Sequence, residues 1–505
     1  MNTQILNNLA IVSSRTQLGM DAIKVDVEVH LANGLPTFNV VGMPETAVKE
    51  SKDRVRSAII SSRFEFPARR ITVNLAPADV PKIGGRFDLP IALGILIASG
   101  QIQVSNLNDY EIIGELGLTG EVKAVSACLP TAIACQQSNK SLMLPNSSSQ
   151  EACLVDGLSI YAVNSLLDAA AHLSGQALLE LSEKKLKSNN NTISLCLSEV
   201  KGQVQAKRAL EIAASGGHHL LMSGPPGCGK TMLAQRFSSI LPELNPKQAL
   251  QTASIYSVSS LGFDANDFNK RPLRSPHHSA SAIALIGGGS KPKPGEISLS
   301  HNGVLFLDEL PEFPRHVLDQ LREPIEAGYV NIVRASGRVT FLSDFQLIAA
   351  MNQCKCGYYG DRSQPQRCHC SASSIENYQN KVSGPLLDRI DLHVNLSRIN
   401  ISELQSLPQG ETSHNINQRV SMSRQRQLKR QDCLNVKLSS KDMDKYCMLN
   451  FETQNLLRQA ESKFNLSARG YNKVLKLSRT IADIQNKENI EKQDVMEALN
   501  FRHTV

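Results

Sequence analysis

The 505-residue sequence contains no tryptophan, and its aromatic content is only 5%. Recognition of single strands chiefly by base stacking needs more aromatic platforms, so a nucleic-acid partner would be tracked along its phosphates. Long apolar runs are missing too. The longest, LPIALGILIASG from Leu89, falls short of the ~20 residues that cross a bilayer and reads as a buried helix. The opening MNTQILNNLAIVSSR lacks a basic start and a proper apolar core, which argues against a secretory signal. No tandem repeats stand out. A large excess of either charge sign is missing as well: a formal +7 is mildly basic and permits nucleic acid as a partner without demanding it. The 11 cysteines are scattered singly except in one place, as reduced thiols would be, so a cytoplasmic setting is expected.

A chain this long exceeds one ordinary core, and about three domains are expected. Residues 1–182 alternate strand-like runs with helices. FNVVGM, ARRITVNLAP and YEIIGELGL have β character, and PETAVKESKDRVRSAIISS has the period of an amphipathic helix that Pro44 is placed to start. The polar, aperiodic EKKLKSNNNT marks a linker over 183–194. An α/β segment follows over 195–398. The remainder, 399–505, is helical in period through INISELQ, SMSRQRQLKRQ and the stretch from Phe451 to Leu499.

GPPGCGKT comprises Gly224, Pro225, Pro226, Gly227, Cys228, Gly229, Lys230 and Thr231, and fits G-x-x-x-x-G-K-[ST] at every fixed position. HLLMS before it and the helical run beginning at Met232 supply the strand–loop–helix context, and Met232 is counted with the loop as nucleotide-binding. Glycines let backbone N–H groups curl around phosphate oxygens, and the helix N-terminus favours an anion. Lys230 is expected to reach the β/γ-phosphates of ATP and Thr231 to ligate Mg²⁺. The plain alternative is a Gly-rich turn. VLFLDEL, a buried parallel strand by its apolar run, would carry Asp308 and Glu309 to the sheet edge where ligands bind. Asp308 suits the Mg²⁺ and Glu309 the attacking water. FQLIAAMN repeats the arrangement with Asn352, placed to hold the water or the γ-phosphate. Order and helical C-terminus fit an AAA+ ATPase, and no Asn/Thr-Lys-x-Asp guanine-reading motif supports a GTPase.

The cysteine cluster is NQCKCGYYGDRSQPQRCHC, with Cys354, Cys356, Cys368 and Cys370 in two C-x-C pairs. Four thiolates across a loop bent by Gly357, Gly360 and Pro365 suit a structural Zn²⁺, and His369 could replace one sulfur. C-x-C is tighter than the usual spacing. The alternatives are a disulfide, disfavoured in a reducing compartment, and four unliganded thiols.

RPLRSPHHSASAIALIGGGSKPKPGEISLSHNGVLFLDELPEF, SGPLLDRIDLHV, LSARGYNKVLKLSRTIADI, IGGRFDLPIALGIL and GELGLTGEV together resemble the ComM/YifB family of magnesium-chelatase-like AAA+ proteins over nearly the whole chain. The resemblance implies a homohexameric, ATP-driven DNA translocase promoting branch migration in natural transformation, with recombination proteins as potential partners and no membrane. It implies an α/β fold class: a Lon-protease-like (ribosomal S5 domain 2-like) α+β domain, an AAA+ P-loop domain and a helical lid.

By the same resemblance Arg389 in LLDRID is an arginine finger and Arg469 in LSARG a sensor-2 arginine. Read alone, either could pair with a surface carboxylate. SPHHSASAIALIGGGSKPKPGE is similar to the clade's helix-2 insertion, which points into the pore. VNIVRASGRVTFL, with Ser336-Gly337 between two strand-like runs, reads as a hairpin and resembles the one preceding sensor 1. Lys291, Lys293, Arg334 and Arg338 are therefore DNA-contact candidates, with the Arg424–Arg430 helix as the fallback surface. His277 and His278 read as polar loop groups, since nothing at ligand spacing accompanies them. In the Lon-like segment Arg86 or Phe87 stands at the nucleophile position and Leu129 near the lysine position, so peptide hydrolysis is not expected. Family members carry NPCPCG where this chain has NQCKCG; Gln353 and Lys355 depart without touching the cysteines. The loop joins Asn352 to Arg389, so a metal clip there could hold a sensor in register with a neighbour's finger.

Three loads fit one such ATPase. DNA is favoured by the basic loop candidates. Remodelling of a partner for porphyrin metallation is the second reading, and polypeptide gripped by the Lon-like domain is the third.

Overall fold

Alternating valines in DAIKVDVEVHLA put Val25, Val27 and Val29 on one buried face, as a strand with one covered side requires. The computed structural model describes residues 8–184, 195–334, 337–360, 367–464 and 466–502. These fall into two compact units, the first comprising Met1–Asn190, Ala249–Phe268 and Val333–Thr340, the second the rest. The expected linker lies mostly outside the described residues.

In the first unit, strands Leu9–Leu18 and Asp21–Ala32 pair antiparallel around a tight turn. The four-stranded sheet continues through Arg70–Ala76 to Thr37–Val41, which joins it in parallel. The apolar run at Leu89 forms the helix Asp88–Ala98, buried on nearly every side. Its Gly94 lies under Val29, where a Cβ would crowd the valine methyl. A second sheet pairs Tyr110–Ile112, Ser141–Pro145 and Ile160–Val163 in parallel.

Two sequence expectations differ in detail. The helix after Pro44 is broken into Thr46–Lys49 and Ser51–Ser61, with Glu50 at the junction. YEIIGELGL is not one strand but Tyr110–Ile112 and Glu115–Leu116. The reason is Gly114: its N–H donates to Arg86 O at 2.9 Å and its carbonyl accepts from Leu89 N at 3.0 Å, which removes it from any ladder. Arg86 is buried, with its guanidinium donating to the carbonyls of Arg15 and Ser126. Phe87 and Leu129 are fully buried apolar groups.

The second unit is built on five parallel strands in the order Leu273–Arg274, Val304–Leu307, Gln346–Met351, Leu220–Ser223, Leu392–Asn395. Leu220–Ser223, Val304–Leu307 and Gln346–Met351 are buried at every position, the signature of strands covered on both faces. One core runs from the sheet (Leu220, Phe306, Ile348) into the C-terminal helices (Val474, Leu477, Ile481, Leu499). Helix Ala468–Ile484 is capped by Ser467 and pinned to the sheet by buried Lys473, whose Nζ lies 3.0 Å from Asp391. The arrangement is an AAA+-like α/β fold with a helical C-terminal region. Among the described residues no helix is long and apolar enough to cross a membrane.

The basic run in SMSRQRQLKRQ is largely used inside the fold. Arg424 is buried with its Nε donating to Ala214 O at 2.7 Å, and Arg430 forks onto Asp483 at 2.6 and 2.9 Å. Those two guanidiniums, committed to a buried carbonyl and a carboxylate, are not offered to phosphate, so the fallback DNA surface on the Arg424–Arg430 helix is without them.

Candidate nucleotide site

Because the five strands are parallel, their C-terminal ends share one edge, where an open α/β sheet binds ligands. Ser223 leads into the P-loop, Leu307 into Asp308 and Met351 into Asn352. The sequence-predicted groups therefore meet without any of them being close in sequence. Gly224, Gly227 and Gly229 have φ of 159°, 77° and 95°. Gly224 could carry no side chain, since a Cβ would sit 2.5 Å from Leu396 O. Lys230 starts the helix Lys230–Arg236 and curls back over the loop. Its buried ammonium donates to Gly224 O at 2.7 Å, Pro225 O at 2.9 Å and Asn352 Oδ1 at 3.1 Å. Met232 lies on the same helix, partly exposed.

Thr231 Oγ1 donates to Asp308 Oδ2 at 2.6 Å, while Asp308 Oδ1 accepts Glu309 N at 2.9 Å. A hydroxyl and a carboxylate this close form a hard-oxygen pair of the kind that holds Mg²⁺ beside phosphates. Glu309 has φ of 50°, a strained value for a residue with a Cβ, of the sort that gathers at functional sites. Its half-exposed carboxylate lies 3.4 Å from His278 Nδ1. His278 in turn stacks on His277, with ring centroids 4.0 Å apart. The sequence alone reads both histidines as polar loop groups. The missed signal is position: they follow Leu273–Arg274, the strand next to the one that leads into Asp308.

Arg389 and Arg469 meet elsewhere, on Glu326. Arg389 Nη2 donates to Glu326 Oε2 at 2.9 Å, and Arg469 Nη2 bonds the other oxygen. Burial opposes the Glu326 charge, yet the two guanidiniums outweigh it and hold the carboxyl below its ordinary range. Arg469 Nε also lies 3.6 Å from Asp388.

The insertion forms helix Ala282–Ile286 and a short ladder, Gly287–Gly288 against Lys293–Pro294, with exposed Lys291 and Lys293 at its end. Gly287 has φ of 108°, and a Cβ there would meet Lys293 O at 2.5 Å, so only glycine lets the ladder close. The second hairpin pairs Tyr329–Arg334 with Gly337–Leu342. Arg334 ends its strand and Arg338 is exposed. Ser336 lies outside the described residues.

The four cysteines come together, their sulfurs all within 4.8 Å of one another. Cys354 lies 3.3 Å from Cys356 and 3.9 Å from Cys368, and Cys356 lies 3.7 Å from Cys368. A disulfide would need ~2.05 Å. Zn–S bonds of ~2.3 Å in a tetrahedron place sulfurs ~3.8 Å apart, so the spacing fits a tetrathiolate site. His369 is exposed and outside the group of four.

Three family models match the chain: magnesium chelatase subunit ChlI over residues 196–404, subunit ChlI of Mg-chelatase over 27–148, and the ChlI C-terminal region over 410–502. Competence protein ComM of Haemophilus influenzae is 46% identical, across 99% of this chain and 98% of its own. YifB of Salmonella typhimurium is 44% identical across 98% and 97%, and YifB of Escherichia coli is 44% identical over the same shares. With nearly complete coverage on both sides, the chain belongs to the ComM/YifB family of magnesium-chelatase-like proteins.

Proposed function

We propose that this chain is one subunit of a homohexameric AAA+ ATPase that couples ATP hydrolysis to movement along DNA, including branch migration during natural transformation and recombination. The observation that carries the ATPase is the meeting of Lys230, Thr231, Asp308, Glu309 and Asn352 at one sheet edge. Lys230 and the loop amides hold the phosphates, Thr231 and Asp308 hold Mg²⁺, Glu309 activates water and Asn352 fixes its position. Arg389 serves a neighbour's γ-phosphate, and Arg469 reports on its own site. Lys291, Lys293, Arg334 and Arg338 meet DNA. The domain layout is a degenerate Lon-like domain over 1–182, a linker over 183–194, the ATPase over 195–398 and a helical lid over 399–505. A structural Zn²⁺ occupies the four cysteines, and the assembly works in the cytoplasm.

DNA as the load is supported by the name of the Haemophilus influenzae relative, a competence protein. A chelatase-type or protein-remodelling ATPase is the second reading, supported by the description of the matching family models. Steady-state ATPase with and without single-stranded, duplex and branched DNA separates the two. Stimulation several-fold by DNA is expected. ATPase that no DNA form changes would remove DNA from the reading and leave the remodelling one.

A further inference from the structure

The turn that carries the first cysteine pair lies on the P-loop itself. Cys354 and Cys356 follow Asn352, which accepts the Lys230 ammonium at 3.1 Å. The turn is closed by Gly357 N donating to Cys354 O at 3.0 Å. Gly357 has φ of 85°, and a Cβ there would stand 2.8 Å from Pro226 Cδ and 3.7 Å from Asn352 Cγ. The backbone of the cysteine loop is thus in contact with the second proline of GPPGCGKT. Tyr359 N donates to Cys354 Sγ at 3.3 Å, the kind of N–H···S bond that supports a metal thiolate.

The second cysteine pair is fastened from the other side. Cys370 directly precedes Ser371, whose hydroxyl caps the helix Ala372–Gln379. The far end of that helix returns to the first pair, with Gln379 Nε2 donating to Gln353 O at 3.1 Å. Gln353 Nε2 reaches Asn395 Oδ1 at 3.3 Å, at the end of the last sheet strand. One metal ion at the four sulfurs would therefore lock the loop, the helix and the sheet edge together, with Gly357 pressed on Pro226.

Resting on the zinc reading given above, we propose that the metal at Cys354, Cys356, Cys368 and Cys370 forms part of the nucleotide site's wall, so that its occupancy sets the shape of the P-loop and with it ATP binding and turnover. As Zn²⁺ binds, the thiols that are still protonated release their protons to solvent and the sulfurs become its four donors. Without the ion, the four sulfurs are not tied to one another, and the turn at Pro226 is held by hydrogen bonds such as Gly357 N to Cys354 O and Gln379 Nε2 to Gln353 O. Displacement of a phosphate-binding loop by about 1 Å lowers turnover by as much as about a hundredfold.

The test uses the full chain in its purified assembly, prepared without chelator. Elemental analysis is expected to give about one zinc per chain. Protein with no zinc or other metal would overturn the metal reading itself. Given zinc-loaded protein, metal is then removed with a chelator, the chelator is dialysed away, and binding of a fluorescent ATP analogue is measured before and after re-addition of zinc alone. ATP turnover is followed in parallel, with far-ultraviolet circular dichroism as a control on folding. We expect weaker nucleotide binding and a tenfold or greater loss of turnover, both restored by zinc. Metal-free protein that binds and hydrolyses ATP like the zinc form would overturn the coupling while leaving the zinc site standing. Gly357→Ala probes the contact directly: it is expected to keep its zinc and lose ATP affinity. Full affinity in that variant, with zinc retained, would equally overturn the coupling.

Discussion

At the scale of single residues, the proposed function gives Lys230 and Glu309 different parts in one reaction. Lys230 touches the loop that cradles phosphate, so Lys230→Ala should lose nucleotide binding. On the proposed function Glu309 activates water, so Glu309→Gln should bind ATP and turn over slower by roughly a hundredfold or more, the usual worth of a general base. Equilibrium binding set against steady-state hydrolysis checks both, and normal turnover by the glutamine variant would remove Glu309 from that role. His278 adds a second residue-scale expectation. Its imidazole lies 3.4 Å from the Glu309 carboxylate, and if Glu309 activates water as proposed, imidazole and water compete for that group. His278→Ala should therefore raise DNA-free ATPase several-fold and shrink the stimulation by DNA. A lower basal rate would mean that the histidine positions Glu309 for catalysis instead.

At the scale of elements, the insertion ladder and the C-terminal helices divide the basic residues between them. Lys291 and Lys293 stand exposed at the ladder's end, whereas Arg424 and Arg430 are spent on Ala214 O and Asp483. Replacing both lysines by alanine should weaken DNA binding evenly across sequences. Each lost phosphate contact should also flatten the log–log salt dependence by ~0.7 to 0.9. An unchanged slope would move the contact surface off this element. Elements also show where local reading stops. The strand–loop–helix around GPPGCGKT is legible because hydrogen bonds and glycine sterics within a few residues produce it. Gly114 is not legible in the same way: its N–H and carbonyl are taken by Arg86 and Leu89, which lie far back in the chain. The contact of Gly357 with Pro226 is of that second kind.

At the scale of the whole molecule, Arg389 and Arg469 share Glu326 within one chain, although the family resemblance assigns them to different sites. A finger acts across a subunit boundary, so ATPase should rise steeply with protein concentration. Arg389→Ala should assemble and fail to hydrolyse. Mixing it with Lys230→Ala, which still offers Arg389, should restore part of the activity. Full activity in a strictly monomeric sample would exclude a finger acting in trans. The second unit also carries an acid limit. Burial pushes His219, His301 and His393 down to about 4 from an ordinary 6.5. Above 6.5 they are neutral whether the chain is folded or unfolded, and between 6.5 and about 4 only the unfolded chain takes the protons. Stability is therefore full above pH 6.5 and falls as pH drops to about 4. Asp391, held far below its usual range by Lys473, His218 and His219 against the cost of burial, stays charged throughout. Thermal unfolding followed across that window should show a falling midpoint, and a flat profile would mean that these histidines are solvated.

What the sequence determined by itself was whatever a few neighbouring residues dictate: the glycine-rich loop, the apolar strands leading into Asp308 and Asn352, the buried helix at Leu89, the cysteines in close pairs. These follow from backbone sterics and from the period of apolar residues. Tertiary structure decided which of them meet. The strand that ends in Met351 lies between those that end in Ser223 and Leu307, and that order brings Lys230 to Asn352 and Thr231 to Asp308. It likewise set His278 against Glu309, gave one glutamate to two arginines and buried Arg424. Pairings of this kind depend on the order of strands in the sheet and on which faces pack. Those are set by burial summed over the whole core, and no local pattern encodes them.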